Sequence, residues 1–322
     1  AIAPVIISAP ICCVRDQDRA GMQPSSQPNS VVITGASSGI GEACALHLDE
    51  LGYRVFAGVR RPSDGEALRA KASARLTPIL LDVTDVASID RAVETVRQAV
   101  GSAGLAGLVN NAGIAVSGPL EVVPLADLRK QFEVNVIGQV AVTQAMLPLL
   151  RQGRGRIVNL GSIAGRSAMP FMGPYSASKF ALEALTDAMR LELQPWGIQV
   201  SIVEPGAIES RIWDKGRHAA DQMEAAVSPE AKAYYGEAVA RVREVVARAV
   251  QRATPARVVA KAVAHALSAA RPKTRYLVGL DARFRAVLAA WLPDRVQDWL
   301  LTRALKLPRE RGGGALSSPL CS

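Results

Sequence analysis

The sequence predicts an α/β protein: one doubly wound parallel sheet of about seven strands, with helices on both faces. Three observations carry that reading. Short apolar runs rich in β-branched residues alternate with longer stretches of helical periodicity. The first run opens into a glycine-rich turn followed by a helix. Later runs end in polar residues, which a parallel sheet gathers along the carboxyl edge of its strands.

Residues 30–34 form the first strand, apolar and buried. Thr34-Gly35-Ala36-Ser37-Ser38-Gly39-Ile40-Gly41 then leads into a helix of about a dozen residues ending at Gly52. Strand, glycine turn and helix make a phosphate cradle: glycine lets the backbone approach a pyrophosphate, and the helix N-terminus attracts its charge. The spacing Gly-x-x-x-Gly-x-Gly differs from the commoner Gly-x-Gly-x-x-Gly, and a plain tight turn is the alternative. Residues 53–59 form the second strand. An acidic residue near its end would bind adenosine ribose hydroxyls; the chain reads Val59-Arg60-Arg61 instead. Arginine suits a ribose phosphate, which favours NADP over NAD; a solvated arginine pair is the bland alternative.

Residues 77–81 form the third strand, followed by Asp82 and Val83. Asp82 would accept from an adenine amino group, or cap the helix beginning near Val86. Residues 107–111 form the fourth strand, closed by Ala112-Gly113; Asn110 and Asn111 can cross-link strands and hold a nucleotide edge. Residues 125–150 read as a long apolar-periodic helix containing Asn135, a mediocre helix-interior residue. Its side chain would hold a water near Lys179 or hydrogen-bond a neighbouring helix. Residues 156–160 form the fifth strand, ending in Gly161-Ser162, where a hydroxyl reaches the sheet edge.

Tyr175 and Lys179 lie four apart, on one face of a helix running to about Trp196. A phenol with a pKa of about 10 is a poor base. A fixed ammonium nearby lowers that value, and the pair then exchanges a proton with an alcohol or carbonyl. Residues 198–204 form the sixth strand, ended by Pro205-Gly206. Residues 211–251 read as helices broken at Gly216, Pro229 and Gly236, with Trp213, Met223, Tyr234, Tyr235 and Val239 as large apolar side chains. A helix over 255–270 and a seventh strand over 275–280 follow. In 281–307, Phe284, Val287, Leu288, Trp291 and Leu292 sit at helical spacing, then Val296, Trp299 and Leu300 after Pro293. A helix pair packed on the body or on a neighbouring subunit is expected; peripheral contact with a membrane surface is the rival.

The chain has 322 residues, 49% hydrophobic, and a formal charge of +9, enough for a large core. Arginines are spread along the chain and aromatics are scarce, which suits an anionic cofactor better than nucleic acid. Cys12, Cys13, Cys44 and Cys321 show neither disulfide nor zinc spacing, so a reducing cytoplasmic setting is expected. His47, His218 and His265 are far apart, and no metal is expected.

Taken together, Thr34 to Gly41, Asp82, Asn110 to Gly113, Asn135, Ser162, Tyr175 with Lys179, and Pro205-Gly206 resemble the classical short-chain dehydrogenases/reductases. The resemblance covers about 30–280. Arg60 with Ser38, and the stretches 175–185 and 200–206, are similar to the NADP-preferring steroid and retinoid branch. It implies a single-domain Rossmann fold over 30–280; the length of 207–252 after Pro205-Gly206 predicts a substrate lid, and composition predicts a flexible tail at 1–29 and a helical extension with a disordered tail at 281–322. It implies Tyr175 as general acid/base, Lys179 lowering its pKa and binding the nicotinamide ribose, Ser162 orienting the substrate oxygen, and Asn135 anchoring a water. Cofactor contacts would be Gly35, Ser37, Ser38, Gly39, Ile40, Gly41, Arg60, Arg61, Asp82, Val83, Asn110, Ala112, Gly113, Tyr175, Lys179, Pro205, Gly206, Ile208 and Ser210. Ser162, Tyr175 and Trp213 would touch substrate. Ser210 stands where the family often has Thr and keeps the hydroxyl. The expected activity is NADP(H)-dependent interconversion of an alcohol and a carbonyl on a hydrophobic molecule, by a homodimer or homotetramer. A reductase of polar or acyl-carrier substrates and a non-catalytic NADPH sensor or scaffold are the alternatives.

Overall fold

Alternation within the strands explains how one sheet serves two cores. Val31, Ile33, Val55 and Val109 face one side, while Val32, Phe56 and Leu108 face the other, all buried. The computed structural model describes residues 29–209 and 228–307. Its strands are β1 (Ser30–Ile33), β2 (Arg54–Val59), β3 (Leu76–Leu80), β4 (Gly107–Asn110), β5 (Arg156–Leu160), β6 (Gln199–Pro205) and β7 (Arg275–Val278). They form one parallel sheet in the order β3-β2-β1-β4-β5-β6-β7. The order reverses between β1 and β4, and a crevice opens at the carboxyl ends there.

Helices α1 (Gly39–Glu50), α2 (Pro62–Arg69) and α3 (Val86–Val100) connect the first strands. Helix α2, begun by Pro62, is an element the pattern reading leaves out; proline suits a first helical position, where its missing N–H costs nothing. The expected helix over 125–150 is α4 (Leu125–Phe132), a wider π turn at Glu133–Ile137, and α5 (Gly138–Gly153). Helix α6 (Gly173–Glu192) carries Tyr175 and Lys179. Helix α7 (Pro229–Gln251) corrects the expected breaks at Pro229 and Gly236. Pro229 starts the helix behind Ser228, whose hydroxyl accepts from the Ala231 amide. Gly236 sits inside it at a cost of about 1 kcal/mol, which the surrounding turns absorb. Gly216, Met223 and the tail beyond 307 lie outside the described residues.

Helix α8 (Ala256–Ser268) packs with α1 on one face of the sheet; α3 and α5 cover the other. The closing pair is α9 (Leu280–Trp291) and α10 (Asp294–Ala304). The pair is expected to pack on the body or on a neighbouring subunit, and the body takes only the small side of α9. Helix α9 turns Ala282 and Ala286 inward and leaves Leu280, Phe284, Val287 and Trp291 exposed, Leu280 by 83% and Trp291 by 81%. The small alanine side allows close approach to the body, and the large side chains fall on the opposite face. Among the described residues no helix is long and apolar enough to cross a membrane.

Candidate active site

The crevice at the switch point is a cleft of about 520 Å³. One end is the glycine turn. Gly35 has φ +66°, and a side chain on it would meet the Ala112 Cα at 2.8 Å. A Cβ on Gly41 would stand 2.3 Å from the Gly35 carbonyl oxygen and 2.4 Å from Asn111 Nδ2. The turn is fastened to β4 by neutral hydrogen bonds. Asn111 Nδ2 donates to the carbonyls of Thr34 (2.9 Å) and Gly35 (3.0 Å). The amides of Asn111 and Ala112 both donate to Thr34 Oγ1 at 2.9 Å. Asn111 thus makes the strand cross-link expected of it, and Thr34, which opens the glycine motif, is its partner across the turn. Ser37, Ser38, Gly39 and Ile40 line the cleft at the start of α1, whose amides face it.

Arg60 reaches the cleft from the end of β2, exposed and without an ion pair among the described residues. Arg61 instead pairs with Asp64 at 3.7 Å, outside the cleft, because α2 begins beside it. Asp82 lines the cleft and accepts from the Thr84 amide (3.0 Å) and hydroxyl (2.8 Å). It does not cap the next helix; Asp85 does, accepting from the Ala87 amide at 3.0 Å. Val83, Ala112 and Gly113 complete this wall. Asn110 lies behind it, donating to Asn159 on β5 (2.9 Å) and Thr143 on α5 (2.8 Å), so the strand cross-link expected of it is present.

Three polar residues at four-residue spacing join the π turn to the loop after β4. Gln131 exchanges hydrogen bonds with Ile114 and Val116, Asn135 with both backbone groups of Ile114, and Gln139 donates to the Ala112 carbonyl. In a regular α-helix four residues turn 40° too far for one line. The wider π turn rotates less per residue and brings them back toward alignment. Asn135 and Gln131 also donate to Ser178 Oγ at 3.2 Å, and that hydroxyl donates to the Tyr175 carbonyl at 2.7 Å. The neighbouring-helix bond expected of Asn135 is thus present. Gln131 and Ser178 were missed by sequence reasoning.

The other end brings together Ser162, Tyr175 and Lys179. Ser162, buried at the end of β5, accepts from the Ala164 amide at 3.1 Å and hydrogen-bonds the Tyr175 phenol. Lys179 is buried; its Nζ lies 5.8 Å from the Tyr175 ring centre and donates to the Leu160 carbonyl at 2.6 Å. Burial pushes the Tyr175 phenol up, and the Ser162 bond pulls it partly back. Burial also lowers Lys179 to about 8, against the raising effect of Glu183. The lysine's expected lowering is not among the causes of the phenol's shift, which is set by loss of hydration and by Ser162.

Pro205 lines the cleft, but Gly206 and Ile208 do not. The Gly206 amide donates to the Val278 carbonyl (2.9 Å), and the Asp281 carboxylate, which accepts from the Ala207 amide at 2.8 Å, fills the space beside it. Ile208 is buried and bridges to Thr254. Gly41 sits beneath the cleft rather than in its wall. Ser210 and Trp213 lie outside the described residues. Of the other expected lid residues, Tyr235 meets Phe171 edge-on at 6.3 Å and bonds Glu121, while Tyr234 is about half exposed.

An extended dinucleotide fits this arrangement: glycines a side chain would clog, helix amides for a pyrophosphate, a carboxylate, a cation, and at the far end a hydroxyl, a phenol and an ammonium. The short chain dehydrogenase profile matches residues 29–221. Mouse retinol dehydrogenase 5 is 40% identical over 286 residues, covering 87% of this chain and 90% of its own. Bovine 17-beta-hydroxysteroid dehydrogenase type 6 is 39% identical over 289 residues, covering 88% and 91%. The crystal structure of a short chain dehydrogenase from Burkholderia cenocepacia in complex with NADP superposes with a TM-score of 0.64 at 27% identity, covering 88% of this chain and 99% of its own.

Proposed function

This chain belongs to the short-chain dehydrogenase family of oxidoreductases, and on that premise we propose that it interconverts an alcohol and a carbonyl on a hydrophobic, steroid- or retinoid-like molecule with NADP(H). The observation that carries the reaction is the convergence of Ser162, Tyr175 and Lys179 at one end of a dinucleotide-shaped cleft. When bound there, the nicotinamide gives or takes the hydride. In reduction the Tyr175 phenol donates a proton to the substrate oxygen; in oxidation its phenolate takes one back. Ser162 hydrogen-bonds the same oxygen and fixes its distance. Lys179 supplies positive charge beside the phenol, which favours the phenolate as a proton leaves. Asn135 and Gln131 hold Ser178, and through it the first turn of α6, in register with these groups.

The choice of NADP(H) is supported by Arg60, which offers a guanidinium where a 2′-phosphate would lie. The substrate class is supported by the retinol and hydroxysteroid dehydrogenase relatives. Burying such a molecule contributes about 25 cal/mol per Å². Leu125 at the start of α4 and Ile137 in the π turn, with Phe180 and Leu191 on α6, are exposed and suit an isologous contact between two copies. The test is a panel of all-trans-retinal, ketosteroids, polyols and acyl thioesters with NADPH and NADH, followed by absorbance of the reduced cofactor. Turnover confined to polar substrates, or preference for NADH, overturns the respective part.

A further inference from the structure

Beneath Tyr175 and Lys179 lies a buried charge cluster that the reaction as described does not use. Glu183 follows Lys179 by one turn of α6, and both are buried. The charged groups around Glu183 come from every element packed there: Lys179 and Asp187 from α6, Arg166 from the turn after β5, Glu204 from β6 and Arg275 from β7. Arg275 is shared among three carboxyls. Its Nε donates to Glu183 Oε2 at 3.3 Å and lies 3.5 Å from Glu204 Oε1, while its Nη2 donates to Asp187 Oδ2 at 2.6 Å. Arg166 serves Glu204, with Nη2 to Oε1 at 3.2 Å, and Arg190 serves Asp187 at 3.0 Å. Glu183 thus has a share of one guanidinium, and its Oε1 has no hydrogen-bond partner among the described residues.

That unpartnered oxygen presses against Gly161, 3.3 Å from where a Cβ would stand. Lys179 Nζ is bonded to the carbonyl of the preceding residue, Leu160. Carboxylate and ammonium therefore meet the same end of β5, the end that carries Ser162. Each is costly to bury alone, and each offsets the other's lost hydration.

We propose that Glu183 is a positioning residue: its carboxylate is the counter-ion that keeps Lys179 charged at the Leu160 carbonyl, and it thereby sets the pH range over which Tyr175 and Lys179 work. The proposal rests on the reading of Tyr175 and Lys179 given above. Burial and the neighbouring Glu204 charge push Glu183 up to about 7, and burial brings Lys179 down to about 8, so the two titrate in adjoining ranges.

The experiment follows Lys179 directly, by NMR of protein carrying 13Cε-lysine, with Lys179→Arg to assign the signal. In Glu183→Gln the lysine should titrate about one pH unit lower, and the alkaline limb of kcat should move down with it while KM for the substrate holds within about twofold. Glu183→Asp, which keeps the charge but withdraws it, should fall between. An unmoved Lys179 titration in a folded variant overturns the proposal; if the glutamine variant does not fold, the aspartate variant decides by the same criterion. Should no substrate be turned over, the reading of the reaction fails, yet the lysine titration still decides this inference.

Discussion

The two ends of the cleft are held by different forces. At the β1–β4 end, the glycine turn is fixed by neutral hydrogen bonds from Asn111 and to Thr34, and by backbones packed too closely for a side chain. Its cation, Arg60, faces solvent. At the β5–β7 end, Lys179, Glu183 and Glu204 are carried out of water and balanced against Arg166 and Arg275. A neutral, backbone-built region holds its shape across pH and salt. A buried charged region can tune a proton donor, and it answers to pH in return. The binding end is specified by shape, the reacting end by its field.

Substitutions at either end can break this division. Tyr175→Phe removes the exchangeable proton and leaves the glycine turn intact. Turnover should fall by about 10²–10⁴-fold while NADPH affinity, read by fluorescence titration, changes little. Near-normal turnover would end the assignment. Gly41→Ala attacks the other end, with a Cβ forced onto the Gly35 carbonyl and Asn111. Overpacking of this kind costs about 1–3 kcal/mol, visible in denaturant melts, and should also weaken NADPH. If it spares cofactor binding, the turn is not a cradle.

Arg60→Ala sharpens the comparison. It should weaken NADPH about tenfold, the scale of one charge-assisted hydrogen bond, and leave NADH unchanged. Because Arg60 is exposed, that difference should shrink as salt is raised. Equal loss for both cofactors would contradict its role.

A separate effect falls on stability. Glu183 is raised from its ordinary 4.5 to about 7, so between those values the folded chain holds a proton the unfolded chain has lost. Its contribution is fully present below about 4.5 and is lost as pH rises through about 7. Guanidinium midpoints should fall from pH 5 to pH 7.5 in the wild type, and fall less in Glu183→Gln. Equal slopes would show that the carboxyl does not titrate there.

Much of the frame was legible in the sequence. Strands buried on both faces leave unbroken runs such as Val31 to Ile33, and a turn without room for side chains must be written in glycine. Tyr175 and Lys179 were legible because helical spacing alone puts them on one face. What stayed hidden depends on distant partners. Gln131 and Ser178 meet across 47 residues of sequence, and Arg275 meets Glu183 across 92. No local pattern marks such pairs. Periodicity showed that α9 has an apolar face but not which way it points, since direction is set by what the alanine side packs against. Gly236 misled because its helical cost is small beside what a long helix gains from its other residues.

The π turn at Glu133–Ile137 has a consequence for how this chain can change length. It behaves as a stored insertion: one residue more than a regular helix would use, accommodated by widening. Losing a single codon there would let the helix wind regularly and keep Gln131 and Gln139 on nearly one line, but it would remove Asn135 or swing it about 50° off that line. The Asn135 bonds to Ile114 and Ser178 could not then form together with those of Gln131 and Gln139. The same loss in the exposed turns of α7 would cost far less. A scan of single-residue deletions, scored for soluble folded protein, should therefore find α7 permissive and residues 133–137 intolerant; a tolerant π turn would show that its alignment of Gln131, Asn135 and Gln139 is dispensable.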